Sequence, residues 1–162
     1  MVIVYESKTG FTKKYADMLA EKTGLRAYRA KELPEDIKGE EIIFLGWIKA
    51  GKIQGLAKLR NLNVAAVCAS GTARTAEPDT DTFIARNKIK GKPFFYLQGG
   101  CLPLKELKGM DKFLMSVFVK MLKSSKDKNR EELEETVSKI ENGFDGVKEE
   151  NLKPVLQWIN AR

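Results

Sequence analysis

Four stretches of this chain are apolar without a break: Val2-Ile3-Val4-Tyr5, Ile42-Ile43-Phe44-Leu45, Val64-Ala65-Ala66-Val67-Cys68-Ala69 and Phe94-Phe95-Tyr96-Leu97. Uninterrupted runs of this kind, bounded by polar residues and glycine, predict strands buried on both faces. A weaker run over 25–29 predicts one more strand, at the sheet edge. The predicted strands are 2–6, 25–29, 41–46, 63–69 and 94–98. Between them the period changes. Phe11, Tyr15, Met18, Leu19 and Lys22 are spaced three or four apart, which predicts a helix over 11–22. Gly24 stands where a C-terminal cap glycine belongs. Shorter helices are predicted over 54–60 and 80–87, with a turn or helical connection over 33–37. Strands alternating with helices predict an α/β fold: a doubly wound, five-stranded parallel sheet with helices on both faces. A length of 162 residues fits a single domain.

The last third carries more than such a sheet needs. Leu104, Leu107, Met110, Leu114, Val117, Phe118 and Met121 recur every three or four residues, predicting one helix that opens at Pro103 and closes at Ser124. From Phe113 to Leu122 only Ser116 and Lys120 interrupt the apolar residues, a wider stripe than one packed face requires. Lys105, Lys108, Lys112, Lys120 and Lys123 share that segment. The plain reading is a core helix with a solvated lysine face. The alternative is a site for anionic lipid, a quinone-bearing membrane or an acidic partner. A charged segment over 126–141 predicts a second helix with Leu133, Val137 and Ile140 on one side. A loop over 142–146 and a closing helix over 149–161 follow, with Leu152, Leu156 and Ile159 facing inward.

The densest chemistry lies between the first strand and the first helix, in Ser7-Lys8-Thr9-Gly10-Phe11-Thr12. A helix N-terminus presents unpaired N–H groups and the positive end of the helix dipole, so it attracts anions. Ser7, Thr9 and Thr12 add hydroxyls, and Gly10 lets the backbone close on a ligand. There is no Gly-Lys-Ser/Thr ending and no set of three spaced glycines, which excludes a P-loop and a dinucleotide fingerprint. Hydroxyls in their place suit a terminal phosphate monoester. The alternative is an ordinary turn with a threonine helix cap.

With Tyr5, Ser7, Gly10, Thr12, Ala16 and Leu19 in place, the N-terminus resembles the flavodoxins, whose first strand, phosphate turn and first helix carry this spacing. The resemblance implies strand order 2-1-3-4-5, FMN as cofactor, and a ligand at the switch point between the first and third strands. It also implies two further binding segments. Trp47, Ile48, Lys49, Ala50 and Gly51 follow the third strand, and Ser70, Gly71 and Thr72 follow the fourth. Trp47 is the candidate to stack on the flavin ring, or else it packs beneath its loop. Many flavodoxins hold a second aromatic after strand four. Here Gly71, Thr72 and Ala73 stand there, which would leave one ring face open to a substrate.

Over most of its length the chain is also similar to the bacterial flavodoxin-type, quinone-dependent protoporphyrinogen oxidases. The similar segments are Gly46 to Gly51, Ala73-Arg74, Met110-Asp111-Lys112-Phe113-Leu114-Met115 and Val119-Lys120-Met121-Leu122. It departs from them at Lys49-Ala50-Gly51, where they tend to have Arg-Tyr-Gly, and in a shorter connection after strand four. Two functions follow as expectations: an FMN-dependent oxidoreductase passing electrons to a quinone-like acceptor, or a non-enzymatic electron carrier between redox partners. A scaffold that has lost FMN is disfavoured by the intact hydroxyl turn.

Charge and rare residues sharpen this. The formal net charge is +7, whereas typical flavodoxins are acidic. A basic surface favours the reduced, anionic flavin, so a higher reduction potential is expected. Lysines are spread over the whole chain without a recognition module, so no nucleic-acid partner is expected. There is no histidine, which removes the commonest neutral-pH acid–base group; no catalytic side chain is named and the chemistry is assigned to the cofactor. Cys68 and Cys101 form no CxxC, and with no histidine a metal site is not expected. Cys68 is expected to be buried and Cys101 more exposed. The first apolar run is too short for a signal peptide and no segment approaches a membrane span, so a cytoplasmic protein is expected, with peripheral membrane contact as a further option.

Overall fold

The computed structural model describes residues 1–73, 79–124 and 130–162. Arg74 and the start of the segment predicted from Lys126 lie outside the described residues. The chain divides into two compact units, residues 1–99 with 147–162, and residues 100–146.

The first unit holds the predicted sheet. Strand β1 (Val2–Glu6) runs into helix α1 (Phe11–Thr23), followed by the short edge strand β2 (Ala27–Arg29) and a 3-10 turn at Glu35–Gly39. Strand β3 (Ile42–Lys49) folds back as β4 (Lys52–Ile53). A 3-10 turn at Leu56–Leu59 leads to β5 (Val64–Gly71), helix α2 (Thr80–Asn87) and β6 (Phe94–Gln98). The path is β2-β1-β3-β5-β6, with β4 beside β3. Every pairing along that path is parallel. This is the expected 2-1-3-4-5 order, and the hairpin strand β4 is the addition.

Side chains alternate across the strands, so each strand feeds two cores. Ile3, Tyr5, Ile43, Leu45, Cys68 and Leu97 pack against Tyr15, Ala16 and Leu19 of α1 and against Leu152 and Val155. Val2, Val4, Ile42, Phe44 and Val67 pack against Ile37, Ile53, Leu59 and Ile89 on the other face. Burying each such large side chain contributes about 1.5–3 kcal/mol. Much of the second cover is 3-10 turn and hairpin rather than full helix. The helix expected over 54–60 is only the 3-10 turn, because Gly55 at φ +88 lies against the Cβ of Glu6 and turns the chain. The closing segment is likewise a 3-10 turn, Glu149–Leu152, continued by α-helix over Lys153–Asn160, with proline in its first turn.

The second unit opens with β7 (Gly100–Cys101), then helix α3 (Gly109–Ser124), helix α4 (Arg130–Asn142) and β8 (Phe144–Asp145), which pairs antiparallel with β7. Helix α3 starts at Gly109 rather than Pro103. Gly109 has φ +56, a left-handed conformation that breaks the helical path, so Leu104 and Leu107 lie before the helix despite their spacing. Val119 packs with Val137 and Ile140 of α4, flanked by Met115 and Leu122. Lys123 and Glu141 join the two helices at 2.6 Å. The apolar stripe through Met110, Leu114 and Met121 is therefore not the packed face. It is exposed, which corrects the plain reading of α3 as a core helix.

Candidate functional site

The register brings the three candidate segments to the same end of the sheet. Glu6, last in β1, pairs with Gly46; Trp47 pairs with Ser70; Gly71 pairs with Gln98. Ser7, Trp47 and Ser70 thus emerge side by side at the carboxyl ends of adjacent strands.

The phosphate turn has its own hydrogen bonds. The Gly10 N–H donates to Ser7 Oγ at 3.2 Å, and the Gly10 carbonyl accepts from the Lys14 N–H at 2.9 Å. Gly10 is the residue before the helix, at φ +96, and no side chain caps α1. The threonine cap considered above is therefore replaced by a glycine. A Cβ added to Gly10 would meet nothing within 4 Å. The turn is an open backbone surface at a helix N-terminus without a side-chain cap, the kind of place where an anion finds N–H donors. Thr9 and Lys8 are exposed there, whereas Thr12 is buried on the inner side of the first helical turn. Phe11 is partly buried, with Lys14 Nζ 5.5 Å from its ring centroid.

Charge at this turn is also arranged. Glu6 directly precedes Ser7, and its carboxylate would repel a phosphate. Lys58 Nζ meets Glu6 Oε2 at 2.7 Å and offsets that charge. Lys13 is engaged one turn along α1 with Asp17 at 2.6 Å, a hydrogen bond that raises the lysine above its ordinary pKa.

The segment after the third strand is not a loop. Trp47, Ile48 and Lys49 belong to β3, and Ala50-Gly51 is the tip of its hairpin with β4. A Cβ on Gly46 would lie 2.6 Å from both the Gln54 carbonyl oxygen and Ile53 Cγ2, so only glycine lets β4 fold back here. Ile48 packs with the core around Phe44 and Ile53. The tip is tied to α2: Asn87 Nδ2 donates to the Gly51 carbonyl at 3.0 Å, and Arg86 to the Ala50 carbonyl at 3.3 Å. Trp47 is half-buried, and Lys8 Nζ sits 5.7 Å from its ring centroid, linking the first segment to the second. An exposed cation–π contact is worth about 0.5–1 kcal/mol, little enough for a stacking ring to replace.

Ser70 is buried and Gly71 and Thr72 lead outward. Two residues missed in the sequence shape this segment. A Cβ on Gly99 would lie 2.5 Å from Ser70 Oγ, and the Gly99 N–H donates to the Gly71 carbonyl at 2.6 Å. Tyr96 donates its hydroxyl to the Ala73 carbonyl at 3.2 Å, holding the chain beyond β5. The Gly99-Gly100 pair after an apolar run was the available signal. Tyr15, buried in α1, donates to the Gln98 carbonyl at 2.5 Å and accepts from Asn151 Nδ2 at 2.6 Å.

A family model described as a flavodoxin domain matches residues 2–129. The chain belongs to the flavodoxin-domain family. No curated protein and no solved structure matches it. As a flavodoxin domain it is a flavodoxin-like protein of the FMN-binding kind, and the open turn at Gly10 beside Trp47 and Ser70 fits a phosphate monoester carrying a planar ring. Both cysteines of this flavodoxin domain are free; Cys68 is fully buried, which pushes its thiol well above the usual range, and partial burial raises Cys101 as well. Neither is poised as a thiolate nucleophile. Among the described residues there is no cluster that could hold a metal ion, and no helix is long and apolar enough to cross a membrane.

Proposed function

We propose that this flavodoxin domain is an FMN-dependent oxidoreductase of the quinone-linked type, working in the manner of a protoporphyrinogen oxidase. The observation that carries the reading is the one-sided aromatic environment. Trp47 stands at the end of β3, while no aromatic occurs from Ser70 to Thr82. A ring resting on Trp47 would keep its other face free for a flat donor or acceptor.

FMN, when bound, supplies the redox chemistry; the chain's residues bind and orient. Backbone N–H groups at Phe11 and Thr12 and the Ser7 and Thr9 hydroxyls would hold the phosphate, with Lys8 adding positive charge. Trp47 would support the ring, and backbone groups of Ser70 to Thr72 would meet its edge. The Ala50-Gly51 tip is held by α2, which fixes where Trp47 and Lys49 stand. No side chain is assigned as acid or base.

The alternative is a non-enzymatic electron carrier, favoured by a chain without histidine, the commonest acid–base group at neutral pH. The visible spectrum of the purified protein comes first: a yellow protein releasing FMN on heating supports both readings, and a colourless one that takes up no FMN defeats both. Oxidation of protoporphyrinogen IX with a quinone acceptor then separates enzyme from carrier.

A further inference from the structure

We propose that α3 docks the protein on an anionic lipid surface, lying in the plane of the headgroups. Among the described residues the large hydrophobic side chains that are exposed all lie on this helix: Met110 69%, Phe113 62%, Leu114 51%, Val117 50%, Phe118 41% and Met121 58%. Their spacing of three and four places them on one face, opposite the Met115, Val119 and Leu122 stripe that packs on α4. A continuous apolar face left outside the core marks an interaction surface.

Charge selects the occupant. Lys120 is exposed along the flank of the apolar face, and Lys105 and Lys108, also exposed, just precede it. Lysine stems beside aromatic and aliphatic side chains let the ammonium reach phosphate headgroups while the stem stays in the acyl boundary. The acidic residues of this unit concentrate on α4, at Glu131, Glu132, Glu134 and Glu135, on the helix that backs the packed face of α3. An anionic bilayer would thus meet the basic, apolar helix with the acidic one behind it. A second copy is the poorer occupant, because it would bring together two chains of net charge +7 and set the same lysines against one another. The helix spans 16 residues and carries lysines, so it lies on a membrane rather than across it.

The test is co-sedimentation of the full chain with vesicles of phosphatidylcholine alone or with phosphatidylglycerol, at low and high salt. Binding is expected to the anionic vesicles only, weakened by salt. Lys108→Gln and Lys120→Gln should each reduce partitioning roughly fivefold. Met110→Ser with Phe113→Ser and Met121→Ser should abolish it, circular dichroism showing the variant folded. Phe113→Trp keeps the face intact: its added emission should shift to the blue with anionic vesicles and be quenched by brominated lipid. Absence of binding to anionic vesicles, or no change in the Phe113→Trp emission, overturns the proposal. So does a wild-type dimer in sedimentation that the triple serine variant turns into a monomer, since the face would then belong to a second copy.

Discussion

At the scale of single residues, the proposed phosphate cradle depends on Gly10. Its φ of +96 is a conformation that an L side chain enters at a cost of about 1–3 kcal/mol. No atom lies within 4 Å of a Cβ there, so Gly10→Ala would fail through backbone strain and by filling the space a phosphate would use. The expected outcome is a loss of FMN affinity of at least tenfold in a fluorescence titration, with a modestly lower Tm. Ser7→Ala removes the acceptor for the Gly10 N–H and should cost about 0.5–1.5 kcal/mol. If FMN affinity survives both changes, the turn is not the cradle. These positions were legible because six residues at fixed spacing mark the turn and helix. Tyr96 and Gly99 were not, because their roles arise from the pairing of β5 with β6, which sets Tyr96 opposite Ala69 with its hydroxyl reaching the Ala73 carbonyl and carries Gly99 in against Ser70.

At the scale of elements, glycine was the misleading sign. Gly46 reads as the end of a strand, yet β3 runs on to Lys49 because the backbone of β4 returns over a position with no side chain. Gly46→Val should push Gln54 and Ile53 away and destabilise the protein by about 1–3 kcal/mol, measured by urea unfolding. It should also disturb Trp47, read as a change in its fluorescence. In α3 the apolar spacing continued through Leu104 and Leu107, and only the backbone at Gly109 shows where the helix starts. Helix α2 is capped by Asp79. Asp79 accepts from the Thr82 hydroxyl at 2.5 Å and from the Asp81 N–H at 3.0 Å, bonds to the charged form that hold its carboxyl below the ordinary value of 3.8. A lowered folded pKa means that the cap stabilises α2 above that ordinary value and weakens as pH falls through the folded one. The protection of the α2 amides, taken relative to their intrinsic exchange rate at each pH, should therefore fall in acid, below about pH 4. Asp79→Asn keeps a capping oxygen without a titrating charge, so its exchange protection should lose this acid dependence. An unchanged pH profile would show that Asp79 is not the titrating cap.

At the scale of the whole molecule, the order of strands was legible because buried parallel strands are apolar throughout and their crossover connections leave few topologies open. Which side of α3 meets α4 was not. Periodicity reveals a face but not its neighbour, and the stripe through Val119 and Met115 is no more apolar than the exposed one. Charge is also a property of the whole chain, and it makes the last prediction. With net charge +7, the field across this flavodoxin domain favours the reduced, anionic state of a bound flavin over its neutral oxidised state. At the turn, Lys58 offsets the Glu6 carboxylate, so that carboxylate does not stand unpaired against the global field. The two-electron potential should lie above that of an acidic flavodoxin. It should also fall as salt is added, because the Debye length shrinks from about 30 Å at 0.01 M to about 10 Å at 0.1 M and screens the distant lysines. An acidic flavodoxin would move the opposite way, since salt relieves its repulsion. Redox titration of the FMN-loaded protein at those two ionic strengths reads the sign directly. A potential that rises with salt would mean that carboxylates, not lysines, dominate the field at the flavin.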